Sequence, residues 1–184
     1  MPAASVILPL PRDVRDALGK AQGGLHAGRP VPSERLNLPL ADLGDQPEDV
    51  LAAVRTGLAE IATGPFYVGI QGLGTLGGNA PHTLYAEAEL SPGLKDLHAL
   101  VRRAVRDAGV TLDFQRWTPH VPIAHFEALG QHDLKQIMSF LSRRAALSAG
   151  PFPVTDFELI ALRPGPEGPV PEVVESYPLS GRSR

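Results

Sequence analysis

Cysteine is absent from the 184-residue chain, which excludes disulfides, thiolate zinc sites and a cysteine nucleophile. No apolar run approaches the ~18 residues of a membrane-spanning helix. A secretion signal is not expected either, because Pro9, Pro11 and acidic Asp13 interrupt the N-terminal stretch too early. Neither sign of charge dominates. The net charge is −3, so a strongly basic nucleic-acid scavenger is excluded and any phosphate contact must be local. These absences point to a soluble cytoplasmic protein without a membrane partner. Hydrophobic residues make up 43% and charged residues 20%, ordinary values for a globular chain. The length suits one domain of two small lobes spanning residues 1–184. Glycine and proline, 19 of each, are interleaved with periodic segments and do not form a low-complexity tract.

What is present is organised around Trp117–Phe126 (WTPHVPIAHF). Read as a strand, it places His120, Pro122 and Ala124 on one face and Val121, Ile123 and His125 on the other. An imidazole in a short apolar strand needs a partner or a task, since burying it unsatisfied costs roughly 1–3 kcal/mol. A counterpart lies in Arg35–Gly44 (RLNLPLADLG). The two blocks share a polar-x-Pro-aliphatic-Ala core, Asn37-x-Pro39-Leu40-Ala41 and His120-x-Pro122-Ile123-Ala124. Such spacing predicts two lobes with a site between them, and a proline in each strand predicts an edge position or a bulge.

Around these blocks the periodicity predicts a strand at Ser5–Leu10, a helix at Asp13–Ala21 and a loop at Gly28–Ser33. Arg35–Leu43 follows as a strand, and Asp45 with Glu48 predicts a helix start. Phe66–Leu73 reads as a strand, Gly72–Gly78 as a loop and Thr83–Leu90 as an alternating strand. Ser91 and Pro92 open a helix that Gly109 closes, and Gln131–Ala146 forms another. Two final strands, Phe152–Leu162 and Val170–Leu179, form a half-solvated hairpin in which Asp156, Glu158 and Glu175 alternate with apolar neighbours. The order is roughly one unit twice, an α+β pseudo-repeat.

The opening Val6-Ile-Leu-Pro-Leu-Pro-Arg-Asp-Val-Arg-Asp-Ala-Leu18, the block at Leu36–Asp45 and the block Pro119-His-Val-Pro-Ile-Ala124 resemble the 2H phosphoesterase superfamily. The likeness is greatest to the bacterial RNA 2',3'-cyclic phosphodiesterases, also called 2'-5' RNA ligases, and runs from Ser5 to about Leu179. It implies two pseudo-symmetric lobes of antiparallel sheet backed by helices, with a His-x-Thr motif from each lobe facing a central cleft. It also implies a substrate that is an RNA end or nucleotide with a cyclic or terminal phosphate, and chemistry that needs no metal and no cofactor. One histidine takes a proton from water and the other protonates the leaving ribose oxygen. Threonine hydroxyls hold the phosphate oxygens where charge develops.

This chain departs from that pattern at the motifs themselves. Asn37 stands at the first histidine position, and Pro39 and Pro122 stand at the two threonine positions. His125 takes the place where many members carry a phosphate-binding arginine. Asparagine cannot shuttle a proton near neutral pH, and proline offers neither hydroxyl nor N–H. His120 is the motif residue that remains, as acid/base or as a satisfied core imidazole. Strict alternation gives His125 a structural or surface role. A kink at Pro122 would turn it into the cleft, where a protonated ring could replace the arginine. His82 and Tyr85, in the loop-to-strand stretch Pro81–Tyr85, are candidates for ligand contact and base stacking. The arginines at 102, 103, 106, 143 and 144 read as solvated helix faces. His98 and His132 have no metal-ligand partner at i+4, and Gly72–Gly78 lacks the Lys-Ser/Thr of a phosphate loop. The sequence therefore supports two readings: a weak RNA 2',3'-cyclic phosphodiesterase using His120 beside the degenerate Asn37, or a catalytically silent relative that binds a nucleotide, RNA end or protein in the same cleft.

Overall fold

A computed structural model describes residues 3–113, 116–166 and 168–181. In chain order the elements are β1 (Ala3–Pro9), α1 (Arg12–Ala21), β2 (Arg29–Pro30), a short 3-10 turn (Ser33–Arg35), β3 (Asn37–Asp45) and α2 (Glu48–Ala59). Then come β4 (Phe66–Leu76), β5 (Thr83–Ala88), α3 (Pro92–Asp107), β6 (His120–His125), α4 (Gln131–Arg143), β7 (Ser148–Val154), β8 (Asp156–Arg163) and β9 (Val170–Pro178).

Local chemistry explains most of these bounds. In α3, the Ser91 hydroxyl accepts the Leu94 N–H at 3.3 Å, and Pro92 costs no hydrogen bond in the first turn. Leu94, Leu97, Val101 and Val105 form one buried stripe, and Gly109 ends the helix with φ +95°. The predicted start of α2 needs correcting. Asp45 is the last residue of β3, paired with Ala3, and the helix begins behind Pro47 without a side-chain cap.

All strand pairs are antiparallel, in two sheets of order β3-β1-β8-β9 and β2-β6-β5-β4-β7. With the four helices among the described residues this is an α+β fold, as the sequence pattern implied. Each sheet draws strands from both halves of the chain, so the linear pseudo-repeat does not divide the molecule at its midpoint. The predicted strand Phe152–Leu162 is two strands. The chain leaves the second sheet after Val154, where β7 pairs with β4, and enters the first at Asp156, where β8 pairs with β1. The predicted Gly72–Gly78 loop is also mostly strand, because β4 continues to Leu76 opposite Thr83. Gly74 is required there: a Cβ would lie 2.5 Å from the Tyr85 ring.

Each sheet has a buried face and an open one. Leu8, Leu38 and Leu40 are 2% exposed or less, and burying each stabilises the fold by roughly 1.5–3 kcal/mol. The opposite face of the first sheet carries Ile7 and Pro9 on β1 beside Pro39 and Asn37 on β3, with Glu158 on β8 next to Ile7.

Candidate active site in the cleft between the sheets

The two motif strands lie at neighbouring edges. β3 is the edge of the first sheet, and β6 is flanked on its outer side by the two residues of β2 alone. A proline at an edge breaks no interior ladder, which is why Pro39 and Pro122 are tolerated. Both strands also bulge at the same motif position. On β3, Ile7 pairs with Pro39 and Val6 with Ala41, leaving Leu40 as the extra residue. On β6, Tyr85 pairs with Pro122 and Leu84 with Ala124, leaving Ile123 extra. Gln22 secures the second bulge, donating through Nε2 to Ile123 O at 2.7 Å and Val31 O at 2.8 Å.

The bulge changes which side chains share a face. Glu87 pairs with His120, Tyr85 with Pro122 and Thr83 with His125. Alternation along β5 puts its three residues on one face, so His120, Pro122 and His125 lie together on that face. Strict alternation had assigned His125 to the opposite side. The extra residue at Ile123 reverses the parity, which corrects that expectation and matches the alternative of a kink at Pro122 turning His125 to the other face.

The two polar motif residues make the same local bond. Asn37 Nδ2 donates to the carbonyl of Arg35, two residues upstream, at 3.1 Å. His120 Nδ1 lies 2.7 Å from the carbonyl of Thr118, also two residues upstream. A carbonyl only accepts, so Nδ1 carries the proton and Nε2 of the neutral ring keeps its lone pair. Asn37 thus reproduces the positioning half of a histidine and lacks the half that moves protons.

A cavity of about 460 Å³ opens between the sheet edges, within the range of small-molecule sites, ~300–1,000 Å³. Its wall includes Arg29, Arg35, Asn37, Pro122, His125 and Glu127, with the β8–β9 turn at Gly168 and Pro169 on the far side. His120 and Pro39 share the open faces but are not part of this wall. The Arg29 guanidinium pairs with Glu127. Burial of its ring, then the charges of His82 and Arg29, push His125 below the ordinary 6.5. That shift favours the neutral ring in the free protein.

The other candidates fall nearby. Thr83 Oγ1 lies 3.0 Å from Nδ1 of His82 and 3.5 Å from Nδ1 of His125, between the two rings. His82 is exposed and reaches the cleft only through Thr83. The Tyr85 ring meets His120 edge-on, with centroids 5.2 Å apart and planes at 63°. Sequence reasoning passed over Arg29, Gln22 and Thr83. Only Thr83 left a signal, as the first residue of the alternating strand, next to His82. Among the described residues, no cluster of three or more His, Asp or Glu side chains could hold a metal ion, and no helix is long and apolar enough to cross a membrane.

Comparison with known proteins agrees with this architecture. The family model of the 2'-5' RNA ligase superfamily matches residues 31–165, a stretch containing both motif strands, and the chain belongs to that family. A Thermus thermophilus protein named RNA 2',3'-cyclic phosphodiesterase is 30% identical over 94% of this chain and 87% of its own length. A protein of the same name from Geobacillus stearothermophilus is 29% identical over 65% of this chain, and the match spans 40% of that longer relative. Among solved structures, E. coli LigT complexed with 3'-AMP superimposes with a TM-score of 0.78 at 18% identity, covering 97% of this chain and 98% of LigT.

Proposed function

We propose that this protein acts on RNA ends or nucleotides carrying a 2',3'-cyclic phosphate and opens the ring to a 2'-phosphate, slowly. The observation that carries the reading is the matched pair of motif strands. Each has a bulge after its proline and a polar residue bonded two positions upstream, and the pair brackets one cavity. The names of the two bacterial relatives and the 3'-AMP held by LigT support the substrate class. In the proposed step, water oxygen bonds to phosphorus while its proton passes to Nε2 of His120, and the bond from phosphorus to O3' breaks. O3' must then be protonated by solvent, because the Asn37 amide does not titrate. That missing donor is the reason for slow turnover, since a positioned general acid contributes roughly 10²–10⁴ in rate. Arg29, His125 and Asn37 are proposed to hold the phosphate in place of the missing threonine hydroxyls. Pro39, Pro122, His82 and Tyr85 shape the surroundings. A cytoplasmic location fits an RNA-end substrate.

The test is incubation of the purified protein with 2',3'-cyclic nucleotides and a cyclic-phosphate-ended oligoribonucleotide, with product identity read by phosphorus NMR. Slow, exclusive formation of the 2'-phosphate is expected. Binding of 2'-nucleotides without turnover above background would replace this reading with that of a silent binding protein.

A further inference from the structure

A second cavity, of about 230 Å³, lies on the open face of the first sheet and shares Asn37 and Pro171 with the larger one. It is too small for a whole nucleotide against the ~300–1,000 Å³ of ordinary ligand sites. A nucleoside's base in it would place the ribose and phosphate beside Asn37.

Its construction is unusual for a phosphate cleft. The floor is apolar, made by Ile7 and Ile160, each 4% exposed, with Leu10 and Leu36 also buried. Around that floor stand Arg15, Glu34 and Glu158. Two carboxylates next to a phosphate site oppose phosphate binding, so their useful partners are N–H donors. Glu158 sits opposite Ile7 on the open sheet face, and burial together with neighbouring Asp156 raises its pKa. Ser176 already donates one hydrogen bond to the carboxylate, which keeps acceptor capacity for a further donor. Arg15 contributes a buried Nε without a hydrogen-bond partner, a donor waiting for an acceptor. Asn37 spends its Nδ2 on Arg35 O and leaves Oδ1 to accept.

A flat apolar floor with carboxylates on one part of its rim and a guanidinium on another matches a planar heterocycle of one polarity pattern. Guanine presents adjacent N1–H and N2–H donors to a carboxylate and O6 and N7 acceptors to a guanidinium. Adenine reverses the N1 position, and uracil offers a single N–H. We propose that this cavity is a base subsite selective for guanine, with Glu158 and Glu34 accepting from its N1–H and N2–H edge and Arg15 donating to its acceptors. The inference rests on the phosphate-end reading of the larger cavity and narrows that substrate class to ends terminating in guanosine.

Calorimetric titration of the full chain with 2'-GMP, 2'-AMP, 2'-CMP and 2'-UMP tests it. 2'-GMP should bind ~10–100-fold more tightly than 2'-AMP, the range expected for a hydrogen bond to a charged group that one base makes and the other does not. Glu158→Gln, which replaces one acceptor oxygen by a donor, should collapse that ratio, and Glu34→Gln should lower it independently. The ratio is the readout because removing a carboxylate also eases binding of every phosphate. Equal binding of all four nucleotides, or a guanine preference unchanged in both variants, overturns the subsite and leaves the phosphate reading standing. No binding of any 2'-nucleotide at millimolar concentration overturns both.

Discussion

The edge strands β3 and β6 have the same backbone and unequal chemistry. β3 is a sheet edge and β6 is covered on its outer side by the short β2; each bulges one residue after its proline and fixes its polar motif residue to a carbonyl two positions upstream. On β6 that residue is an imidazole with a second nitrogen to spare, with His125 on the same face at the far end of the strand and Arg29 paired with His125. On β3 it is an amide with no proton to move, and its neighbours on the open face include the carboxylates Glu34 and Glu158. The frame depends on backbone pairing and the bulge, so one half can change its chemistry without disturbing the other. The shared upstream bond shows how: asparagine is the neutral side chain that keeps the Nδ1–H contact of histidine.

Restoring the first strand should give the largest effect. Asn37→His with Pro39→Thr and Pro122→Thr supplies a second imidazole and both hydroxyls, and the carbonyl of Arg35 is already placed to orient the new ring. Cyclic-phosphate hydrolysis should rise by roughly 10²–10⁴. The rate should be bell-shaped in pH, because one imidazole must be neutral and the other protonated. Adding His120→Ala should abolish the gain. Circular dichroism of the triple variant checks that strands adapted to proline still fold.

The next effect concerns what anchors the approach to β6. Trp117 stacks on His98 with ring centroids 3.6 Å apart and planes at 7°, and Nε2 of His98 is buried without a partner. Burial, and then the charge of Arg102, lowers His98 from 6.5 to about 4. The unfolded chain binds this proton more readily than the folded one. The contribution is therefore intact above pH 6.5 and declines as pH falls toward about 4. A loss of about 1–3 kcal/mol across that window is expected in denaturant titrations. His98→Phe should flatten the dependence, and an unchanged slope would remove His98 as its source.

A smaller effect should distinguish the two sides of the large cavity. His125 has a lowered pKa in the free protein, and a bound anion raises it, so anion binding takes up a proton. Sulfate, which does not itself titrate near neutrality, should bind up to about tenfold more tightly as pH falls through the ordinary histidine range. Glu127, His82 and Arg29 share this neighbourhood. His125→Asn isolates the contribution and should leave a flatter profile.

These contrasts also mark what the sequence could disclose. The polar-x-Pro pattern disclosed the two edge strands, because proline's missing N–H is a local property. The bulges depend on which partner residue is skipped, so Pro122 signalled a possible kink, and only the pairing with β5 placed His125 on the His120 face. Thr155 was hidden within an apparently continuous strand, because leaving one sheet for another changes partners and not periodicity. Glu158 had the alternation of a solvated hairpin; only the assembled sheet places that face against a cavity. Arg29 sat in a proline-rich loop, where no period indicates direction.

In the proposed mechanism β6 carries the proton transfer, and β3 offers the phosphate a contact through Asn37 but no proton. Turnover of a 2',3'-cyclic nucleotide by the native chain, His120→Ala and Asn37→Ala, measured side by side with folding verified, tests it most directly. His120→Ala should lose roughly 10²–10⁴ in rate or fall to background, while Asn37→Ala should lose about tenfold, the worth of one phosphate contact. Equal losses in the two variants, or full activity without His120, would contradict the claim.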